Sequence, residues 1–296
     1  MATERRGFLD PDVLARLGKI QLAARGLVEG AFSGVHKSPH RGSSVEFAQY
    51  REYVKGDDTR HLDWRLWGRS DRYYIKEFEA DTNLRLHLLV DCSASMGFGA
   101  TTSKLDYARK LAGTLAYIAV QQGDAVGLTL FSDQVVADIP PRHNPAHLRN
   151  LFDALEAAVP AGGTRIPDIL HAVAEKIRRR AMAVVVSDLF EAPEEVLPAF
   201  AHFCHRKHDL AVFHLLDPQE RDFPFERPTC FVDLESSQRL TAEPALLRKE
   251  YLRNLSAYLE TFKTECSRNR VDYNLIHTDT PYDTALADFL RRRQKK

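Results

Sequence analysis

Four short runs of this chain are apolar almost from end to end: 84–90 (LRLHLLV), 125–131 (AVGLTLF), 183–187 (AVVVS) and 210–216 (LAVFHLL). A strand with one face in water alternates apolar and polar residues; a strand buried on both faces does not. The runs are separated by segments of helical periodicity. Between the first two, residues 104–122 place Leu105, Ala108, Leu111, Ala112, Leu115, Ile118 and Ala119 on one stripe. Parallel strands need crossovers of a dozen residues or more, and a helix is the usual one. The pattern therefore specifies an α/β fold, a mostly parallel sheet of about six strands with helices on both faces.

The remaining elements fit around that frame. Ser132-Asp133 can turn the chain into VVADI, so 125–139 reads as a hairpin adding one antiparallel edge strand. Helices are predicted at about 145–158, 166–180, 194–206 and 243–268, with a last helix at 284–292. Residues 218–228 read as a loop, 230–234 and 238–241 as short strands, and VDYNLIH (271–277) as the last strand. Toward the N-terminus, Asp10 can cap a helix over 10–29 with Pro11 in its first turn and Val13, Leu17, Ile20, Ala24 and Leu27 on one face. Residues 30–44 read as an exposed loop, and 45–80 as short helices up to about Trp67 followed by a strand, 73–78, entering the main sheet. The expected organisation is an N-terminal extension, 1–80, packing on a main domain, 81–296.

Composition narrows the function classes. The 296 residues carry 41 basic and 41 acidic groups, so no overall charge draws the chain to nucleic acid or membrane. The basic tail at 291–296 reads as solvated. The longest stretch free of charge, 111–123, has 13 residues, short of the roughly 20 that span a bilayer. The N-terminus lacks an apolar signal core. The four cysteines, at 92, 204, 230 and 266, have no zinc or redox spacing and read as reduced thiols. Together these features lead us to expect a soluble cytoplasmic protein.

In open α/β sheets, ligands sit beyond the carboxyl ends of the strands. The first core strand ends in Asp91-Cys92-Ser93-Ala94-Ser95, which sets two hydroxyls two residues apart behind a carboxylate. The strand at 183–187 delivers Asp188 to the same edge, and the loop Gly162-Gly163-Thr164-Arg165 offers a further hydroxyl just before a helix. Two carboxylates and three hydroxyls, without histidine or thiol, suit a hard cation such as Mg²⁺, or Mn²⁺. Other clusters carry less. Residues 56–64 (GDDTRHLDW) read as helix caps and ion pairs, and His202, Cys204, His205 and His208 as a polar helix face lacking a closed zinc set. Cys92 is expected to point into the core. Phosphate-loop and nucleophile-elbow motifs are absent from the sequence.

The DxSxS group, the later threonine and the strand-end aspartate resemble the metal-ion-dependent adhesion site (MIDAS) of von Willebrand factor type A domains. That resemblance implies a three-layer type A fold with metal held by Asp91, Ser93, Ser95, Thr164 and Asp188. It makes Ser93 and Ser95 the direct ligands, and Asp91 and Asp188 charges acting from behind. A partner's carboxylate would complete the shell. A closer resemblance covers nearly the whole chain. It rests on the run 34–44, Glu46-Phe47, Arg51-Glu52-Tyr53, Gly56-Asp57-Asp58-Thr59-Arg60, Asp63-Trp64, Lys76-Glu77-Phe78 and Phe231-Val232-Asp233-Leu234. These are similar to the bacterial family "domain of unknown function 58". The resemblance implies a non-enzymatic adaptor or assembly factor working with a MoxR-type AAA+ ATPase. A metal-dependent hydrolase ranks second, with Arg165 as its one evident substrate-gripping cation. A nucleic-acid binder using Arg178-Arg179-Arg180 and the tail ranks third.

Overall fold

In a computed structural model, residues 7–18, 22, 45–52, 73–80 and 84–294 are described. The chain divides into two compact units, one comprising 1–25 with 84–296 and the other 26–83. In the second unit, β1 (Val45–Glu52) pairs antiparallel with β2 (Tyr74–Ala80) as a two-stranded sheet, with a register shift between Phe47 and Gln49. This corrects two expectations. Residues 45–52 are a strand, not short helices, and β2 belongs to its own sheet rather than the main one. The segment VEFAQYRE is rich in the β-branched and aromatic types that favour strands, and its charges masked that preference. The expected helical content between 53 and 67, and the loop at 30–44, lie outside the described residues.

The first unit is built on β3 (Arg85–Asp91), β4 (Ala125–Phe131), β5 (Val135–Arg142), β6 (Met182–Ser187), β7 (Asp209–Leu216) and β10 (Asp272–His277). Their order is β10-β7-β6-β3-β4-β5, parallel throughout except β5, which returns antiparallel along β4 as the edge. A small hairpin of β8 (Thr229–Val232) and β9 (Arg239–Ala242) stands apart from this sheet.

The continuous apolar strands are apolar because both faces are covered. Leu86, Leu88 and Val90 of β3, Val184 and Val186 of β6, and Phe213 and Leu215 of β7 enter one core. Their neighbours Leu89, Val185 and Val212 enter the other. The first core is closed by α1 (Pro11–Leu17), α2 (Lys104–Gln121), α3 (Pro145–Ala157) and α8 (Tyr282–Gln294). The second is closed by α4 (Ile166–Lys176), α5 (Pro193–His205) and α7 (Pro244–Arg268). Asp10 caps α1 as expected, and Val13 and Leu17 are buried, but the expected helix over 10–29 is cut short. It closes at Leu17 with Gly18, a poor helix former, as its C-cap, and Leu22 is not helical; Ile20, Ala24 and Leu27 lie outside the described residues. The 166–180 helix stops at Lys176, because Ile177 turns extended to bury its side chain. Arg178, Arg179 and Arg180 therefore lie exposed just past the helix end.

Two further segments depart from expectation. The 218–228 loop opens with a short helix, α6 (Pro218–Asp222), started by a capping box in which Asp217 and Glu220 satisfy each other's backbone N–H groups. The C-terminal basic run is not wholly solvated. Arg293 is buried at the amino edge of the sheet, where it pairs with Asp209 and Asp272. Among the described residues no helix is long and apolar enough to cross a membrane.

Candidate functional site at the carboxyl edge of the sheet

The chain leaves β3 toward β4 on one side and is flanked by β6 on the other, so the crevice above β3 and β6 is the switch point of the sheet. The segment after β3 is held tightly there. Asp91 is fully buried; its Oδ1 accepts the Ser93 N–H at 2.9 Å and its Oδ2 accepts the Ser187 hydroxyl at 2.6 Å. The chain then forms one 3₁₀ turn, Ala94–Gly97, which brings Ser93 Oγ and Ser95 Oγ within 3.0 Å of each other. Ser93 is buried, while Ser95 is half-buried.

The loop before α4 is zipped to this turn. The Ala94 N–H donates to Gly162 O and the Ala161 N–H to Cys92 O, each at 3.0 Å. Gly162 has φ +79°, and a Cβ there would meet Asp133 Oδ1 at 3.1 Å and Ser132 Oγ at 3.2 Å, so the approach needs glycine. Thr164, two residues on, does not turn its hydroxyl to the serines. It donates to Glu235 Oε1 at 2.6 Å, and the Thr164 N–H donates to Glu235 Oε2 at 3.1 Å. Cys92 lies in the core as expected, its thiol donating to Phe131 O at 3.1 Å. Burial, with the nearby Asp91 charge, pushes that thiol up to about 11, so it is no nucleophile at neutral pH.

Asp188 arrives from the end of β6, fully buried beside Asp91. Its Oδ2 accepts from Lys104 Nζ at 2.7 Å; its Oδ1 is buried and without a protein partner. Lys104 is the feature that sequence reasoning missed. It opens α2, its side chain is 1% exposed, and it also donates to Glu220 Oε1 at 2.7 Å. The rings of Phe98 and Phe190 lie 5.7 and 5.3 Å from the ammonium. Burial pushes Lys104 down, but Asp188 and Glu220 more than offset it and the net direction is up. Burial raises Glu220 in spite of the same lysine. The two 2.7 Å contacts favour the charged form of the triad.

Asp91 is raised to about 7, by burial first and then by the Asp188 charge, with Ser187 and Ser93 opposing. The edge thus sets Asp188 and Glu220 against one ammonium, with Asp91 a further buried carboxyl beside Asp188. The buried carboxylates, the unpartnered Asp188 Oδ1 and the paired serine hydroxyls offer oxygen donors alone, the chemistry that suits a hard divalent cation. Among the described residues no group of three or more His, Cys, Asp and Glu is placed to hold a metal, so the fit rests on the hydroxyls. Of the residues read as a polar helix face, His202, Cys204 and His205 lie on α5 partly or fully exposed, and only His208 departs, past the helix end. His202 meets His171 of α4 at 2.9 Å and Glu175 at 3.0 Å, while His208 is buried apart.

The strand order and the helices on both faces define a three-layer α/β domain of the von Willebrand factor type A-like kind. The family described as "Protein of unknown function DUF58" matches residues 49–259, and the chain belongs to it. It is 27% identical to the uncharacterized protein Rv1480 of Mycobacterium tuberculosis over 255 residues, covering 84% of this chain and 80% of that protein. Among solved structures it is similar to the conserved hypothetical protein BatB from Bacteroides thetaiotaomicron, with 13% identity, TM-score 0.49 and coverage of 72% of this chain and 100% of that one. It is also similar to a von Willebrand factor type A protein from Catenulispora acidiphila, with 16% identity, TM-score 0.39 and coverage of 74% and 43%. The fold assignment rests on the strand order and on the helices that cover both faces of the sheet.

Proposed function

We propose that this chain is a metal-dependent protein-interaction module. In this reading the carboxyl edge holds Mg²⁺, or Mn²⁺, and receives a carboxylate from a partner protein. The observation that carries the reading is the pairing of Ser93 Oγ and Ser95 Oγ at 3.0 Å on a turn held by Asp91, whose carboxyl feels the charge of Asp188, itself with one buried, unpartnered oxygen. Ser93 and Ser95 would be the direct ligands. Asp91, with both oxygens already engaged, would hold the serine turn and supply charge, and Asp188 and Thr164 would complete the surround. Bound there, the ion would supply a Lewis acid that accepts an external carboxylate. The partner we propose is a MoxR-type AAA+ ATPase, with this chain as its adaptor; that part rests on the family resemblance. Four free cysteines fit a reducing, cytoplasmic setting.

The hydrolase reading fares worse on the geometry. Arg165 is exposed, and Asp91 is fully buried with both oxygens already accepting from Ser93 and Ser187, which holds it to the serine turn and away from solvent water. A direct test is binding of the purified ATPase to this chain in Mg²⁺ and in EDTA, using wild type and Ser93→Ala/Ser95→Ala. Binding that needs both the ion and the serines supports the proposal. Binding indifferent to both removes it.

A further inference from the structure

Thr164 is already gripping a carboxylate. Glu235 lies 71 residues away in sequence, yet its two oxygens accept from both the N–H and the hydroxyl of Thr164, at 3.1 and 2.6 Å. It does so from an exposed position on the turn joining β8 to β9. We infer that Glu235 is a built-in surrogate for the partner's carboxylate. The β8–β9 turn would be a displaceable latch, which a docking partner must lift from Thr164 before its own acidic side chain can take the place. The inference deepens the proposed function and rests on its reading that a carboxylate docks at this edge.

Three features of the hairpin suit that role. Its base is anchored: Phe231 stacks on Phe223 with centroids 5.6 Å apart, Phe225 packs edge-on against Phe231 at 5.3 Å, and Phe223 stacks on Tyr251 of α7 at 4.5 Å. Its tip is shaped independently of the site. Asp233 Oδ1 accepts the Glu235 N–H at 2.9 Å, Asp233 Oδ2 accepts the Ser236 hydroxyl, and the Asp233 N–H closes onto Gln238 O at 2.9 Å. The turn therefore presents Glu235 as a preformed finger and does not depend on Thr164 for its shape. Its flanks are apolar and in solvent: Val232, Leu234 and Leu240 are 49%, 47% and 64% exposed. A partner that covers those side chains would gain burial energy in the same act that displaces the latch. The loop that Glu235 grips is also the one zipped to the serine turn through Gly162 O, so latch and ion site share one loop.

The two charge-assisted hydrogen bonds of Glu235 compete with any external carboxylate for the same donors. Removing them should raise the affinity of Thr164 for a small carboxylate about tenfold. The test uses the full chain, with acetate as probe, followed at the Thr164 amide by NMR. Hydrogen exchange of 229–242 and 160–166 is recorded in parallel, with and without Mg²⁺. Wild type should answer acetate weakly. Glu235→Ala and Glu235→Gln should answer about tenfold more strongly, and the Thr164 amide should exchange faster in both variants without added metal. Glu235 is exposed on a self-held turn, so these variants keep the fold, and the Gln variant separates loss of charge from loss of contact. Equal acetate response and equal Thr164 exchange in wild type and both variants would overturn the latch. If the variants behave as expected while Mg²⁺ binds none of the proteins, the latch stands and the metal reading fails. If Mg²⁺ binds all of them and the variants match wild type, the latch fails and the metal reading stands.

Discussion

Replacing Lys104 with Met keeps an unbranched apolar stem of similar length and removes the ammonium, with its approach to the rings of Phe98 and Phe190. The loss is two short ionic contacts, 2.7 Å each, to carboxylates whose side chains are 0% and 12% exposed. The larger effect is what remains. Asp188 and Glu220 would be left at the sheet edge with Asp91 beside them and no positive charge among them. Breaking a buried ion pair from one side typically costs about 3–5 kcal/mol. Asp188 cannot reach water, whereas Glu220 can turn partly outward, so we expect about 3–4 kcal/mol at pH 8 in urea denaturation followed by far-UV circular dichroism. The sign of the pH dependence follows. Without the ammonium, protonation is the remaining way to relieve the carboxylates, so the folded variant binds protons more tightly than its unfolded chain. Its deficit must therefore shrink as pH falls from 8 to 5. Adding Glu220→Gln to Lys104→Met should recover part of the loss. A deficit below about 1 kcal/mol at both pH values would refute the reasoning, because the triad would then be solvated and not the buried cluster described.

Three further outcomes follow from the same structure. His87 is pushed down to about 4, by burial first and then by the charges of His208, Arg85 and Lys176. Its unfolded chain takes the proton near 6.5, so stability held above that pH should drain away as pH falls toward 4, by up to about 3 kcal/mol; His87→Gln should flatten the stability profile across that window. A Cβ on Gly127 would sit 2.8 Å from both Ile139 O and Pro141 N, so Gly127→Ala should cost about 1–3 kcal/mol, seen as a lower melting temperature with faster exchange of β5 amides. Arg293→Met removes one buried cationic partner from Asp209 and Asp272 and should cost about 3 kcal/mol, with exchange rising over 282–294; an unchanged melting curve would contradict its burial.

The sheet was legible because burial on both faces writes itself into sequence as continuous apolar runs, and each of the four runs became a central strand. Element type held where a long period met a buried face, as in α2 and α7, whereas the helix expected over 10–29 stops at Leu17. It failed at 45–52, where charges interleave with aromatics and no long period forms. Three of the expected site residues, Asp91, Ser93 and Ser95, form one connected group, and Asp188 lies within electrostatic reach of it. Thr164 reaches that edge but spends its hydroxyl on Glu235. Lys104 was not legible, because a lysine at the first position of a helix ordinarily faces water, and only the convergence of Asp188 and Glu220 on it explains its burial. Glu220 had a readable trace in the capping box Asp217-Pro218-Gln219-Glu220. Glu235 had none, since its partner is 71 residues away and joins it only through the fold.

The central claim is that the serine turn holds a divalent ion. Calorimetric titration of the metal-stripped chain with Mg²⁺ and with Mn²⁺, beside Ser93→Ala/Ser95→Ala, tests it most directly. The account predicts saturable binding of one ion per chain that the double variant loses while keeping its fold by circular dichroism. Binding of equal strength in both proteins, or none in the wild type, would contradict it.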